Sequence, residues 1–242
     1  MKRINKLLAL LLCAVMIFST IPVQGFASET ETADTAALTQ PEAEPAGASE
    51  NDALKVEEAG GETAPGVAKL ASTGEEFKTL QAAFDAAKTA LEGDSDAEKI
   101  VLLDNTTECV KLSWLRSNGS MTLTIDLNGY TVTGDGTSSV MTFSGATNTN
   151  NYLHIVIEDS SESKTGSVTG GSAATGGAIR MDNAKNGDSL TINGGNFYGN
   201  TATSSGGAIY CATLAPITIN GGNFYNNTAK SGGAIYAYKV IV

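Results

Sequence analysis

Short apolar runs, each alternating with polar residues, recur along the second half of the chain. Leu190-Thr-Ile192, Phe197-Tyr198 and Ala208-Ile209-Tyr210 are separated by Asn, Gly and Ser. The same order returns in Ile217-Thr-Ile219, Phe224-Tyr225 and Ala234-Ile235-Tyr236, and the block Leu190–Ala202 reappears 27 residues later as Ile217–Ala229. A Gly-Gly-Ala-Ile follower begins at Gly176, Gly206 and Gly232. A period in this range signals stacked units, none of which buries its apolar face alone. β-branched and aromatic residues fill the runs, so they predict strands rather than helices. About three short strands and three corners fit one unit. Alternate strand positions point inward, which places Leu190, Ile192, Phe197 and Ile209 inside one unit. Ile217, Ile219, Phe224 and Ile235 follow inside the next. Asn200 and Asn227, at a corner, are placed to form an amide ladder. The pairs Gly206-Gly207 and Gly232-Gly233 permit tight bends.

Phe-x-x-Asn (Phe197 to Asn200, Phe224 to Asn227), followed each time by Gly-Gly-Ala-Ile, resembles the repeat pair of the polymorphic outer-membrane-protein family. The resemblance covers roughly residues 166–242. It implies a right-handed parallel β-helix displayed at a bacterial surface and linked to adhesion.

The pattern ahead of the repeats changes several times. Residues 1–27 have the layout of an export signal: Lys2, Arg3 and Lys6, an apolar core from Leu7 to Phe18, and the small-x-small site Gly25-Phe26-Ala27. Cleavage is expected after Ala27. The apolar run is short for a bilayer crossing, so no membrane span is expected after cleavage, and Cys13 reads as part of the apolar core. Residues 28–73 carry ten acidic residues, two lysines and no aromatics. They read as a disordered acidic linker, since such composition buries too little apolar surface to offset chain entropy. Phe77, Leu80, Phe84, Ala87 and Leu91 step by three and four, predicting a helix over 75–92 with Thr73 as its cap and Gly93 as its stop. An amphipathic helix before a β-solenoid resembles the cap of pectate-lyase-like β-helices. The expected domain is therefore an all-β parallel β-helix over 74–242 with an N-terminal capping helix. Within it, 100–165 forms less regular coils. Leu123–Val132 alternates cleanly around Asn128-Gly129, which reads as a hairpin turn or as a corner between two β-helix strands. Leu153-His-Ile-Val-Ile157 repeats that strand a coil later, and Ser160 to Thr165 reads as a loop.

The formal net charge of −11 argues against nucleic acid and anionic membranes as partners. Candidate chemistry is sparse. Past the signal, only Cys109 and Cys211 remain, and they fall in different coils, so no disulfide is expected. One His and two distant Cys offer no metal-ligand spacing, and no cofactor is expected. The β-helix class includes many polysaccharide lyases and hydrolases, and a glycosidase needs two converging carboxylates. The candidates are Asp104, Glu108, Asp126, Asp135, Glu158, Asp159, Glu162, Asp182 and Asp188. Glu158-Asp159 is the one adjacent pair and reads as a solvated turn. His154 reads as a packed or surface residue. Tyr198, Tyr210, Tyr225, Tyr236 and Tyr238 are expected in outward rows, where they would contact a glycan or protein or simply shield the sheet. The expected function is a non-enzymatic, exported surface or secreted scaffold of adhesin-like type. A carbohydrate-active enzyme with catalytic coils elsewhere is the alternative. The repeat is expected to be incomplete at the C-terminus, with self-association through an uncapped last coil.

Overall fold

The computed structural model describes residues 65–93, 95–113, 119–145 and 151–242, without the side chain of Asn151. The expected signal segment and linker residues 28–64 lie outside the described residues. The described chain is mostly strands in parallel sheets with one helix, Leu80–Glu92. Three sheets are visited in turn. The first contains Ala97–Leu102, Gly119–Asp126, Asn151–Glu158, Ser189–Ile192, Ile217–Ile219 and Val240–Ile241, each parallel to the next. The second runs Thr106–Thr107, Thr131–Thr133, Ser167–Thr169, Asn196–Tyr198 and Asn223–Tyr225. The third runs Val110–Ser113, Met141–Ser144, Ile179–Asp182, Ile209–Cys211 and Ile235–Ala237. Asn128-Gly129 connects the first sheet to the second, so it is a corner and not a hairpin.

Register places like on like. Ile192 lies against Ile157 and Ile219, Phe197 against Phe224 and Val168, and Ile209 against Ile179 and Ile235. Leu190, Ile192, Phe197, Ile209 and Ile217 are fully buried, as their alternation predicts. The rings of Phe197 and Phe224 stack at 4.9 Å. Phe224 and Ile235 are only half-buried, since their strands have a neighbour on one side alone, and Ile219 is half-buried because it lies past the pairing with Val240–Ile241. A two-stranded sheet, Ser172–Thr175 with Thr201–Ser205, adds a fourth segment that the polar Ser and Thr hid from the hydrophobic pattern.

The Gly-Gly corners have two separate causes. Gly206 takes φ +68°, a left-handed conformation that other residues rarely adopt. A Cβ on Gly207 would run into the carbonyl oxygen of Gly233 in the next round. The corner asparagines form the expected ladder. Asn200 is fully buried, and its Oδ1 accepts from the N–H of Gly171 at 3.0 Å. Its Nδ2 lies 3.1 Å from the Val168 carbonyl and 3.1 Å from Oδ1 of Asn227. Asn227 Nδ2 in turn donates to the Phe197 carbonyl at 2.8 Å.

The N-terminal side departs from expectation in two places. The linker does not extend to 73: Ala68–Leu70 is a strand with both ends buried, antiparallel to Ala97–Leu102 on one side and Glu76–Phe77 on the other. Val67-Ala-Lys-Leu70 alternates, but averaging over the acidic stretch conceals it. The helix starts at Leu80 rather than Glu75, with Thr79 and not Thr73 as its cap, because Glu76–Phe77 gives its backbone to the strand Ala68–Leu70. Thr79 Oγ1 accepts from Ala82 N–H at 3.2 Å, and the Glu108 carboxylate accepts from the N–H groups of Leu80 and Gln81. Leu80, Ala83, Phe84, Ala87 and Leu91 form the buried stripe, with Phe84 stacked on Phe143. The Gln81 amide pairs with both backbone groups of Lys111, on the outermost strand of the third sheet. The helix thereby covers the first turn of strands and occupies an edge that would otherwise be free to pair.

Ile209→Asp is expected to place an unpaired charge in the dry interior and cost several kcal/mol, collapsing the thermal melt. Tyr210→Ser, on the same strand but facing out, should cost only about 1 kcal/mol from the lost ring contact. Equal melts for the two variants would overturn the register. Asn200→Ala should cost about 2–4 kcal/mol by leaving the Gly171 N–H and the Val168 carbonyl unpaired. A chemical denaturation series reads this, and a change within about 0.5 kcal/mol would remove the ladder as a stabilising element.

Candidate functional site

The candidate contact tyrosines divide between two sheets. Tyr198 and Tyr225 lie in register on the second sheet, and Tyr210 and Tyr236 on the third. Each pair stacks, with centroids 5.0 Å apart and planes 5° apart in the first, 5.7 Å and 9° in the second. Strand alternation turns them outward because Phe197, Ile209, Phe224 and Ile235 occupy the inward positions. Tyr198 and Tyr210 are half-buried, while Tyr225 and Tyr236 are exposed. Tyr238, just past the last strand of the third sheet, is the most exposed, and its N–H donates to the Cys211 carbonyl. Within each pair one face of each ring is spent on its partner, so the rows offer edges, hydroxyls and the outer faces of Tyr225 and Tyr236. Beside the first pair, Asn223 Nδ2 donates to Asn196 Oδ1 and Asn220 Nδ2 to Asn193 Oδ1, both at 2.9 Å. The outward face of Asn196–Tyr198 and Asn223–Tyr225 is thus aromatic and amide, without a charged side chain.

The candidate carboxylates do different work. Asp159 is buried. Its Oδ1 accepts from the N–H groups of Gly129 and Ser161 and the Ser161 hydroxyl, and its Oδ2 from Gly166 N–H. Asp188 accepts from Leu153 N–H and Lys185 N–H at 2.8 Å each. Glu108 caps the helix. Asp104 accepts from Asn105 N–H, and Asp182 pairs with Arg180 at 2.7 Å. Asp135 is held below the usual carboxylate range, first by the N–H and hydroxyl of Thr137. Glu162 sits in the exposed loop. His154 faces outward, half-buried, with Nδ1 2.8 Å from the Ser189 hydroxyl. Cys109 and Cys211 are free thiols, and burial pushes the Cys109 thiol up, away from reactive thiolate. Among the described residues no group of three or more His, Cys, Asp or Glu is placed to hold a metal ion. No helix among them is long and apolar enough to cross a membrane.

Two acids share one lysine on the first sheet, at a grouping the sequence pattern does not single out. Lys99 Nζ is 2.7 Å from both Asp126 Oδ2 and Glu158 Oε1. The three residues come from successive parallel strands, with Asp126 directly beside Glu158. Partial burial pulls the Lys99 ammonium down, but its hydrogen bonds to the two carboxylates, and their charge, outweigh this and hold it above its ordinary value. Burial likewise works to raise Asp126. The hydrogen bond from Lys99, the Ser160 N–H and the Lys99 charge outweigh it and hold the carboxyl below its ordinary value. A general acid needs a raised pKa, which Asp126 lacks, and the shared lysine ties the three strands as a cross-strand clamp.

A depressed Asp126 contributes stability above the ordinary carboxylate pKa of about 4 and loses it as pH falls through the lower folded value. A raised Lys99 contributes below about 10.4 and loses it as pH rises through its higher folded value. Lys99→Met should therefore cost about 1–2 kcal/mol near neutrality, the figure being reduced because Lys99 is one-third exposed. The cost should shrink as acid protonates the carboxylates. Melts of both proteins across pH measure it, and a pH-independent difference would remove the charge clamp as its cause.

Residues 194–212 and 221–238 match the model of the Chlamydia polymorphic membrane protein (Chlamydia_PMP) repeat. Both stretches contain the Phe-x-x-Asn segment and the Gly-Gly-Ala-Ile corner described above. No curated protein and no solved structure matches the chain. The chain carries two stretches of polymorphic-membrane-protein-type repeat, at the strands and corners where its own sequence repeats in register.

Proposed function

We propose that this chain is an exported, surface-displayed or secreted interaction scaffold of adhesin-like type, built as a right-handed parallel β-helix and without enzymatic activity. The observation that carries the reading is the coincidence of the matched repeats with the in-register rounds of strands. A cyclic visit to three parallel sheets is the connectivity of a β-helix, and right-handed crossovers between parallel strands are the strong rule. The membrane-protein family to which the matched repeat belongs supports display at a cell surface. The basic, apolar and small-residue order of residues 1–27 supports export. The tyrosine and amide rows on the second and third sheets supply the contact surface for a glycan or a protein. Against an enzyme stands the employment of the carboxylates in turns, caps and one lysine clamp.

The Asp126–Glu158 approach is the one geometry that favours a glycoside-cleaving alternative, since two carboxyls sharing one lysine are close enough for a retaining pair. Incubating the purified chain with a polysaccharide panel is expected to release no reducing or unsaturated ends. Release that disappears in Glu158→Gln would replace the scaffold reading by the enzymatic one. Expressed in its own cells, the chain should be shaved by external protease, and a glycan or host-protein array should show binding weakened by Tyr225→Ser or Tyr236→Ser. Protection from the protease in intact cells would overturn surface display, and binding unaffected by either variant would overturn the contact face.

A further inference from the structure

We propose that the two stacked tyrosine pairs, Tyr198 with Tyr225 and Tyr210 with Tyr236, are sites of oxidative cross-linking. A peroxide-driven one-electron oxidant would couple the rings of each pair into dityrosine and staple one round of strands to the next. The inference stands on ring geometry alone and does not depend on the function proposed above.

Parallel in-register pairing holds the two backbones of each pair at neighbouring-strand distance, about 4.8 Å. The rings follow their backbones, at 5.0 Å and 5° in one pair and 5.7 Å and 9° in the other. The ring faces, where the radical p orbitals lie, are thus presented to each other, and the rings swing out of the stack as the new bond enters their planes. One member of each pair meets solvent, Tyr225 at 46% exposure and Tyr236 at 41%, so a diffusing oxidant can reach it. The chemistry balances with hydrogen peroxide as oxidant. Two phenol hydrogens leave with two electrons, reducing one peroxide to two waters. The unpaired electrons, delocalised onto the carbons ortho to each oxygen, pair to form the ring–ring C–C bond. Each coupled carbon then loses its proton as the ring regains aromaticity and each oxygen regains a hydrogen, so the protein ends two hydrogens lighter. Holding the partner ring in contact gives the intrachain reaction a large advantage over encounter between chains in dilute solution.

The molecule supplies its own control. Tyr238 is the most exposed tyrosine, at 70%, yet among the described residues it stacks on no other tyrosine, and neither do Tyr130 and Tyr152. If exposure governed coupling, Tyr238 would react first and only between chains. If stacking governs it, the two pairs react within one chain.

The test treats the full chain, at low concentration, with a haem peroxidase and limiting hydrogen peroxide. Dityrosine fluorescence, intact mass of the monomer and peptide mapping are read together. The expected product is a monomer lacking two hydrogens per bridge, with Tyr198 joined to Tyr225 and Tyr210 to Tyr236. Tyr198→Phe should abolish the first bridge and keep the second, since Phe preserves the stack but forms no phenoxyl radical. Prior unfolding in denaturant should abolish both. Coupling confined to interchain dimers through Tyr238 would overturn the proposal. So would monomer oxidation without a bridge, or bridges that form equally well in denaturant.

Discussion

Everything in this fold depends on parallel pairing in register between one round of strands and the next. A short strand such as Phe197 with its two neighbours has too few backbone groups and too small an apolar face to be stable alone. Stacked on Phe224 and Val168, it satisfies both edges and hides its ring. The same stacking dictates composition. A column must hold residues that tolerate their own kind at about 4.8 Å. Isoleucine, phenylalanine and asparagine do this through packing, ring contact and amide hydrogen bonds. The carboxylate column of Asp126 and Glu158 on the first sheet survives because the Lys99 ammonium reaches both, converting like-charge repulsion into a three-strand clamp.

Such stacking raises the problem of where it stops. On the N-terminal side the solution combines several small devices. The antiparallel strand Ala68–Leu70 continues the first sheet in a direction that breaks the parallel pattern. The helix covers the apolar cross-section with Phe84 on Phe143. Gln81 uses its side-chain amide as if it were a piece of neighbouring strand. Glu108 ties the helix N-terminus to the first round, where the helix dipole favours negative charge. Residues that look like ordinary surface polars in sequence are here the substitutes for missing backbone partners.

How much of this could be read beforehand follows from the kind of signal each part leaves. The inward residues, the asparagine ladder and the glycine corners were legible because the sequence states them twice. The helix was legible from the spacing of Leu80, Phe84, Ala87 and Leu91, but its start was not. Phe77 fits the helical stripe as well as it fits a strand, and only pairing with Ala68 decides between them. The strand Ala68–Leu70 was masked by the acidic stretch before it. The fourth segment, Thr201–Ser205, is polar and leaves no hydrophobic trace. The tyrosine rows were legible as outward, whereas their face-to-face stacking depends on the strand spacing. The lysine clamp joins residues 27 and 59 positions apart in the chain; the first spacing equals the later repeat period, but no repeated motif marks these residues, so only the sheet register brings them together.

The crowding at Gly207, where the carbonyl of Gly233 occupies the space of any side chain, has an evolutionary consequence. Gly177 is constrained in the same way by the carbonyl of Gly207, so each of these corner glycines answers to the next round. Neighbouring copies therefore cannot drift apart at these columns, because the obstructing carbonyl is backbone and is present whatever residue carries it. Wholesale copying of a round preserves every such fit at once. In a lineage built this way, diversity should arise through the number of rounds and through outward residues such as Tyr198 and Tyr225, while the corners remain nearly uniform.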